Sequence, residues 1–299
     1  MELSAESPAL HLYHPRNGDL ALRIEALQLP QAECELPRSN YFSIHWVQQG
    51  SGQFWADFGR YEFAANSLLF LVPYQLSRIA AAEPVRGLTL QFHANFLCIE
   101  THHEEIGCNG VLFNDIYGSP VVHLSESDRP EIARLFDDMS RELLGGDLAH
   151  AEVLVSYLKI LLVRATRLKL QQQEVSRTVT PTIPPELPRL QELLEAQFRV
   201  HHSPSAYADL LSLAPKSLAR LVKTHLRKTL TELIRERIIK QAKWELLHTR
   251  KPVKQVAAEL GFQDIFYFSR LFRRATGCSP TFFRRYETEI RSGRNLSMQ

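Results

Sequence analysis

The spacing of hydrophobic positions changes near the middle of the chain. From residue 41 to residue 93, apolar and polar residues alternate in short runs separated by turn residues, a pattern typical of half-buried β-strands. In the first run the alternation predicts that Phe42, Ile44 and Trp46 lie on one face and their neighbours on the other. At least five such runs predict a small β-sandwich or barrel that encloses a pocket.

Turn residues set the expected strand boundaries. The segment 50–52 (Gly-Ser-Gly) predicts a hairpin turn into a strand over 53–58. The segment 59–60 (Gly-Arg) predicts the next turn, and further strands are expected over 67–72 and 85–93.

Helical spacing replaces the alternation after Pro120. Apolar residues recur every three or four positions from Ile132 to Leu143, which predicts a helix that ends at the glycine pair 145–146. A second helix is expected over 147–173. One apolar stripe on this helix can either pack within the chain or meet a second copy of the protein. The stripe consists of Val153, Leu154, Tyr157, Leu158, Leu161 and Ala165.

Prolines divide the chain after this second helix. Residues 174–188 contain four of them, which argues against a helix and predicts an extended linker over 174–186. Residues 1–173 are therefore expected to form one domain and residues 187–299 another. The second domain reads as six or seven short helices, several of which have good N-terminal signals. These signals begin at Ser203, Thr229, Lys251 and Ser279.

Composition excludes several classes of protein. With 44% hydrophobic and 23% charged residues, the chain can bury a core and is neither disordered nor collagen-like. The longest nearly apolar run, over 153–163, is shorter than the roughly 20 residues that cross a bilayer. Because the first residues also lack a basic segment followed by an apolar one, we expect a cytoplasmic protein with no membrane partner. The spacing of the four cysteines argues against a disulfide framework or a zinc knuckle.

The net charge of +2 conceals a division between the two parts of the chain. Residues 1–186 carry 14 Lys and Arg against 23 Asp and Glu, a balance of −9. Residues 187–299 carry 21 against 10, a balance of +11. The basic second part is therefore expected to bind a polyanion. The acidic first part is expected to have a different role.

Two segments of the basic part resemble each other. Residues 208–213 match 257–262 at an offset of 49, and residues 218–223 match 268–273 at an offset of 50. Each copy has a short helix with a central alanine, a tight turn, and a second helix that mixes apolar and basic residues. This arrangement predicts two helix-turn-helix motifs, over about 206–225 and 253–276.

The second helix of each motif is expected to bind double-stranded DNA through its outward face. Apolar residues at positions i, i+3 and i+4 are expected to point into the core, from Leu218 to Val222 and from Phe268 to Phe272. The other positions can contact base edges and phosphates, with Phe266 rather than Tyr267 as the outward aromatic residue. The predicted DNA contacts are Lys216, Ser217, Ala219, Arg220, Lys223, Ile265, Phe266, Ser269, Arg270, Arg273 and Arg274.

A helix between the two motifs sets their expected separation. Residues 231–249 would form a rod about 28 Å long at ~1.5 Å per residue. One turn of B-DNA is about 34 Å. One chain is therefore expected to reach two successive major grooves on the same side of the duplex.

The sequence of the basic part resembles the AraC/XylS-type transcription regulators over about residues 187–286. The resemblance is carried by Ala242, Leu246-Leu247, Val253, Val256-Ala257, Leu260-Gly261-Phe262, Asp264, Tyr267-Phe268-Ser269-Arg270, Phe272-Arg273, Gly277, Ser279-Pro280 and Phe283-Arg284. The first motif departs from the family pattern, with Ser212 where the family usually has Gly and Ala214 where it usually has a capping Ser.

The resemblance implies an α+β protein of two domains. Residues 1–173 would be a cupin-like sandwich or barrel with two helices that binds an effector and dimerises, and residues 187–299 an all-α domain with the two motifs. A transcription regulator without catalytic activity or cofactor is expected, with RNA polymerase as a partner if it is an activator. The helix over 147–173 is the expected homodimer contact.

Two alternatives concern the first domain. It can serve for dimerisation or protein docking alone, without an effector. It can also be a metal- or redox-sensing or enzymatic cupin, through histidines and cysteines such as His102, His103 and Cys108, although the H-x-H pattern of metal-binding cupins is missing. If an effector binds, the candidate lining residues are the aromatic and polar side chains of the predicted strands. They are Tyr41, His45, Trp46, Trp55, Tyr61, Arg78 and His93.

Overall fold

A computed structural model gives the fold. The chain divides into two compact units, the first over Met1–Ala56 and Arg60–Val179 and the second over Asp57–Gly59 and Thr180–Gln299. The structure describes residues 10–13, 20–94, 96–97, 111–113, 116–145, 148–179 and 184–290. Within these ranges no helix is long and apolar enough to cross a membrane.

The first unit contains two antiparallel sheets. The strands are β1 (Leu10–Tyr13), β2 (Leu20–Leu29), β3 (Glu33–Leu36), β4 (Phe42–Gln49), β5 (Gly52–Ala56), β6 (Gly59–Phe63), β7 (Ser67–Leu71), β8 (Ser77–Ala81), β9 (Val85–Phe92) and β10 (Val121–His123). Six of them form a sheet in the order β1-β2-β9-β4-β7-β10, and four form a sheet in the order β3-β8-β5-β6. The predicted β-sandwich or barrel is confirmed.

The two faces of the six-stranded sheet bury different sets of residues, as alternation requires. On one face, Phe42, Ile44 and Trp46 pack beneath two helices, α1 (Arg129–Gly145) and α2 (His150–Val179). The ring of Trp46 lies 5.2 Å from that of Phe136 on α1. The opposite face contributes Val47 to a second core, shared with the four-stranded sheet. The predicted division of β4 into two faces is therefore confirmed.

The turn at 50–52 differs from the predicted hairpin. Strands β4 and β5 lie in different sheets, so this turn carries the chain from one sheet to the other. Gly50 makes the crossing possible with a φ of +99°, and a Cβ on it would lie 2.8 Å from the carbonyl oxygen of Pro84. The second turn was predicted two residues too late: residues 57–58 join the paired strands β5 and β6, and Gly59 is the first residue of β6.

Helix α2 extends beyond the end that the sequence predicted. It continues to Val179, into the segment assigned to the linker, because the first proline after it is Pro181 and nothing before that residue removes a helical hydrogen bond. The predicted apolar stripe packs mainly within the chain. Leu154, Leu158 and Leu161 are fully buried in the core of the first unit.

The described part of the second unit consists of seven helices. They are α3 (Glu186–Gln197), α4 (Pro204–Leu210), α5 (Pro215–Leu226), α6 (Leu230–His248), α7 (Val253–Glu259), α8 (Ile265–Thr276) and α9 (Pro280–Ile290). Three predicted N-terminal caps are confirmed. Ser203 accepts a hydrogen bond from the backbone of Ala206, Thr229 and Glu232 form a complete capping box, and Ser279 accepts from the backbone of Phe282.

Candidate DNA-binding surface and effector cavity

Helices α5 and α8 each bury one apolar face, and this fixes which side chains point outward. Leu218 and Val222 of α5 and Phe268 and Phe272 of α8 are buried. Leu221 is only half-buried, and so is its counterpart on α8, which corrects the expectation that both point into the core. When the buried apolar stripe of a helix is centred on positions i and i+4, the residue at i+3 lies at the edge of the stripe and is only partly covered.

The outward faces of the two helices carry the predicted DNA-contacting residues. All five candidates on α5 are exposed, and on α8 Ile265 and Ser269 are half-buried while the other four are exposed. Phe266 is 71% exposed, whereas Tyr267 is 49% exposed and its ring lies 5.9 Å from that of Phe262. The geometry therefore favours Phe266 as the aromatic residue free to touch a base.

The turns of the two motifs share a backbone shape but differ in residue type. Gly261 has a φ of +85° and Ser212, at the corresponding position, has a φ of +54°. The helices that follow also begin differently. Ala214 gives α5 no side-chain cap, whereas Asp264 caps α8 by accepting a hydrogen bond from the backbone N–H of Phe266. The first motif is therefore built with more local strain and less capping.

A buried carboxylate connects segments that flank both motifs, and sequence reasoning missed it. Glu245 on α6 has a side chain that is 5% exposed, and it pairs with Arg199, before α4, at 3.3 Å and with Lys251, before α7, at 3.2 Å. Gln241 donates a third hydrogen bond to it. The sequence feature that could have indicated this buried carboxylate is its position next to Leu246, within an otherwise apolar run.

A second connection reaches the turn of the second motif. The ring of Phe262 lies 4.7 Å from that of His202. Gly261 lies against the carbonyl of Arg199, and a Cβ on it would collide with that oxygen. The chain just before the first motif therefore packs directly on the turn of the second one, so helix α6 is not their sole connection.

The first unit contains a polar cavity of about 170 Å³ on the inward face of the six-stranded sheet. Two rows of paired residues cross β2, β9 and β4 there. One row is Arg23, Gln91 and Ser43, and the other is Glu25, Thr89 and His45. Hydrogen bonds run along the first row, from Arg23 Nε to Gln91 Oε1 at 2.6 Å and from Gln91 Nε2 to Ser43 Oγ at 2.8 Å.

Two lining features determine the charge inside this cavity. His45 Nδ1 lies 2.9 Å from Thr89 Oγ1, and burial lowers the pKa of His45 to about 4, so the imidazole is neutral near pH 7. Arg23 and Glu25 lie 3.5 Å apart and offset each other's charge. The cavity therefore presents hydroxyl, amide and imidazole groups with no net charge, which suits a small polar ligand.

The structure brings together only some of the predicted effector contacts. Tyr41 and His45 line the cavity, and the ring of His93 lies 5.7 Å from that of Tyr41. Trp46 and Tyr61 are buried in the two hydrophobic cores instead. Trp55 and Arg78 lie outside, on the other face of the four-stranded sheet, where the guanidinium carbon stands 4.3 Å from the centre of the indole ring. Sequence reasoning missed Arg23, Ser43, Thr89 and Gln91.

No group of three or more His, Cys, Asp or Glu side chains in the described ranges could hold a metal ion. The candidates His102, His103 and Cys108 lie outside those ranges. Another histidine of the first unit, His123, lies on β10, with its Nδ1 3.1 Å from Ser67 Oγ.

The pKa of His45 predicts a pH dependence of stability. Because the folded pKa is about 4 and the ordinary value is 6.5, below pH 6.5 the unfolded chain binds a proton that the folded one does not. The contribution of His45 to the free energy of unfolding should therefore fall as the pH is lowered from about 6.5 to 4, and level off below that. Urea unfolding between pH 7 and pH 4 measures it. His45→Gln should flatten the slope and His225→Gln, at an exposed position, should not; equal slopes in both variants would contradict the assignment.

Together, the paired motifs and the cavity-bearing sandwich define a two-domain helix-turn-helix protein. A family model of an AraC-like ligand binding domain matches residues 20–158, and one of a helix-turn-helix domain matches residues 207–286. The chain is therefore similar to AraC-type regulators in both of its units.

Several characterised proteins are similar to the chain. The arabinose operon regulatory protein of Salmonella typhimurium is 36% identical over 84 residues, 28% of this chain and 30% of that protein. The transcriptional activator RhaS of Enterobacter sp. is 34% identical over 38% of each chain. These matches span about a third of either relative. RhaS of Escherichia coli O9:H4 is 24% identical over 95% of this chain and 96% of its own. A solved structure of ToxT from Vibrio cholerae is 13% identical, covers 88% of this chain and 98% of its own, and has a TM-score of 0.37.

Proposed function

We propose that the protein is a sequence-specific DNA-binding transcription regulator whose two motifs read two adjacent major grooves. The observation that carries the proposal is the pair of helices α5 and α8, each with a buried apolar face and an exposed basic one. Lys and Arg on such faces neutralise phosphates, and Arg can also bind the O6 and N7 atoms of guanine. The balance of +11 in residues 187–299 supports the same partner.

The length of the connecting helix supports the two-groove arrangement. Helix α6 has 19 residues, about 28 Å at ~1.5 Å per residue, against about 34 Å for one turn of B-DNA. The contacts of Glu245 and Phe262 connect the two motifs a second time, in addition to helix α6. A rigid pair of this size can enter successive grooves on one side of the duplex.

The first unit is proposed to receive the controlling signal. A neutral polar cavity supports a small-molecule effector with several hydroxyl or amide groups. Thermal-shift screening of the full chain against such metabolites tests this, because a ligand that binds only the folded state raises the melting temperature as its concentration increases. If no metabolite does so while DNA still binds, a domain used for dimerisation or protein docking alone is the better interpretation.

A homodimer through α2 is also proposed. The helix buries its main stripe within the chain but leaves Ile160 and Leu170 exposed, at 43% and 42%. These residues, with the half-buried Val153 and Val163, form an apolar line that a second copy can cover. If the protein activates transcription, RNA polymerase is a further partner. The protein is proposed to act in the cytoplasm.

Single substitutions on the two helices test the DNA-binding proposal. Arg270→Ala should cost about 1–3 kcal/mol of binding free energy and relax the preference at one base pair, because a bidentate base contact is lost. Lys223→Ala should weaken binding to all sequences alike and reduce the salt slope by about one, because a phosphate contact is lost. Affinities of the full chain for DNA between 50 and 200 mM salt measure both. A wild-type protein without any salt-dependent DNA affinity would overturn the proposed function.

A further inference from the structure

The carboxylate of Asp264 contacts two groups on the recognition helix α8. Its Oδ1 accepts a hydrogen bond from the backbone N–H of Phe266 at 2.7 Å, which caps the helix. Its Oδ2 lies 3.8 Å from Nη2 of Arg270. One side chain therefore both starts the helix and holds an arginine that lies further along it.

The ion pair determines where the guanidinium of Arg270 lies. The Cα of Arg270 is in the second turn of α8, and side chains of a helix lean toward its N-terminus. Pairing with Asp264 keeps the guanidinium at that N-terminal end. In helix-turn-helix proteins this end of the recognition helix contacts the base edges. A neighbouring carboxylate also disfavours contact with a phosphate, so the guanidinium is directed into the groove.

The first motif lacks this pair, although it has the arginine. The repeat offset of 50 residues places Arg220 opposite Arg270 and Ala214 opposite Asp264. Arg220 is exposed and has no ion pair among the residues that the structure describes. Within the described residues, the chain therefore contains two equivalent arginines, of which one is paired with a carboxylate and the other is not.

We propose that Asp264 is a positioning residue that sets base-pair specificity. It holds Arg270 in the orientation that binds guanine in bidentate fashion, whereas Arg220 binds its half-site more permissively. This inference rests on the proposed DNA-binding function. The two motifs thus differ in function: the second one selects the sequence, and the first one adds affinity with less discrimination.

The exposure of the pair allows the positioning role to be separated from folding. The side chains of Arg270 and Asp264 are 70% and 56% exposed, and exposed ion pairs add little to fold stability. The same pair becomes stronger when DNA excludes water from it. Asn caps a helix as well as Asp does. Asp264→Asn therefore keeps the cap and removes the charge.

The experiment compares full-length variants on DNA selected by the wild-type protein. The affinity is measured for the selected site and for its single base-pair variants. We expect Asp264→Asn to lower the discrimination at the base pair read by Arg270 by about tenfold, with an unchanged melting temperature and salt slope. We expect Ala214→Asp to raise the discrimination in the other half-site severalfold, because it gives Arg220 the missing carboxylate.

A double substitution shows whether Asp264 acts through Arg270. In a protein that already carries Arg270→Ala, Asp264→Asn should have no further effect on discrimination. The proposal is overturned if Asp264→Asn leaves discrimination unchanged, or if it lowers discrimination equally with and without Arg270, as expected if the carboxylate reads a base directly. If the wild-type protein selects no sequence at all, the proposed function fails instead.

Discussion

Gly261→Ala should lower the free energy of unfolding of the second unit by about 2–5 kcal/mol, the sum expected from a left-handed alanine and an overpacked contact. The φ of this residue is +85°, a conformation that costs a side chain strain. The added methyl group would also collide with the carbonyl of Arg199 and lie 3.1 Å from the His202 ring. The closer neighbour, the carbonyl of Arg199, belongs to the backbone and cannot turn aside as a side chain can.

The corresponding position of the first motif provides the control. Ser212 already has a side chain at a φ of +54°, so Ser212→Ala should change stability by less than about 0.5 kcal/mol. Urea unfolding followed by circular dichroism measures both variants. If the two alanine substitutions cost the same, the contact between Gly261 and the segment before the first motif does not have the importance assigned to it.

Gly261→Ala should also affect DNA binding through geometry. The methyl group pushes the turn away from Arg199, and this changes the spacing between the two motifs. Affinity for DNA that carries both half-sites should fall more than affinity for either half-site alone, since only the former depends on the spacing. Electrophoretic mobility measurements below the melting temperature of the variant compare the two.

The helices of the second unit were predictable because their signals are local. A cap such as Thr229 with Glu232, or Ser203 followed by Pro204, acts within one turn, and the chain contains both. The repeat then identified the two motifs without any knowledge of the tertiary fold. The end of helix α2 was predicted too early because its last turns carry no apolar stripe. The residues of these turns are nevertheless compatible with a helix, which continues to Val179.

The sheets were less predictable because strand order and pairing are not local. Strand β2 was missed because Leu20–Leu29 has apolar residues on both faces, so that the alternation is weak. The cavity was missed in part for the same reason. Its polar rows exist only once Arg23 is paired with Gln91, 68 positions away in the chain, and nothing in either segment alone indicates that pairing.

Glu245→Ala is the second substitution with a large expected effect, a loss of about 3 kcal/mol of unfolding free energy. Removing one partner of a buried ion pair leaves uncompensated charge behind. Here the side chain of Glu245 is 5% exposed, and the substitution removes a partner of both Arg199 and Lys251. Lys251 keeps Glu259 at 2.6 Å, and the two cations are 39% and 34% exposed, so the expected loss lies at the lower end for buried pairs.

Glu259→Ala is the matched control. Its carboxylate pairs with the same Lys251 at 2.6 Å but is 31% exposed. Because Lys251 keeps its contact with Glu245, the removal of Glu259 should cost much less than the removal of Glu245. Equal losses in the two variants, measured by urea unfolding of the full chain, would contradict a special role for the buried carboxylate.

The consequence for DNA binding follows from what Glu245 connects. Arg199 precedes the first motif and Lys251 precedes the second, so the carboxylate fixes the ends of both to helix α6. Glu245→Ala should therefore lower affinity for the two-half-site DNA by about tenfold while each half-site alone loses less than about threefold. Arg199 and Lys251 bind different oxygens of the carboxylate, so Glu245→Gln keeps an acceptor for only one of them and should fall between wild type and alanine. A uniform loss on all three DNAs would mean that the carboxylate supports the fold of the individual motifs and not their spacing.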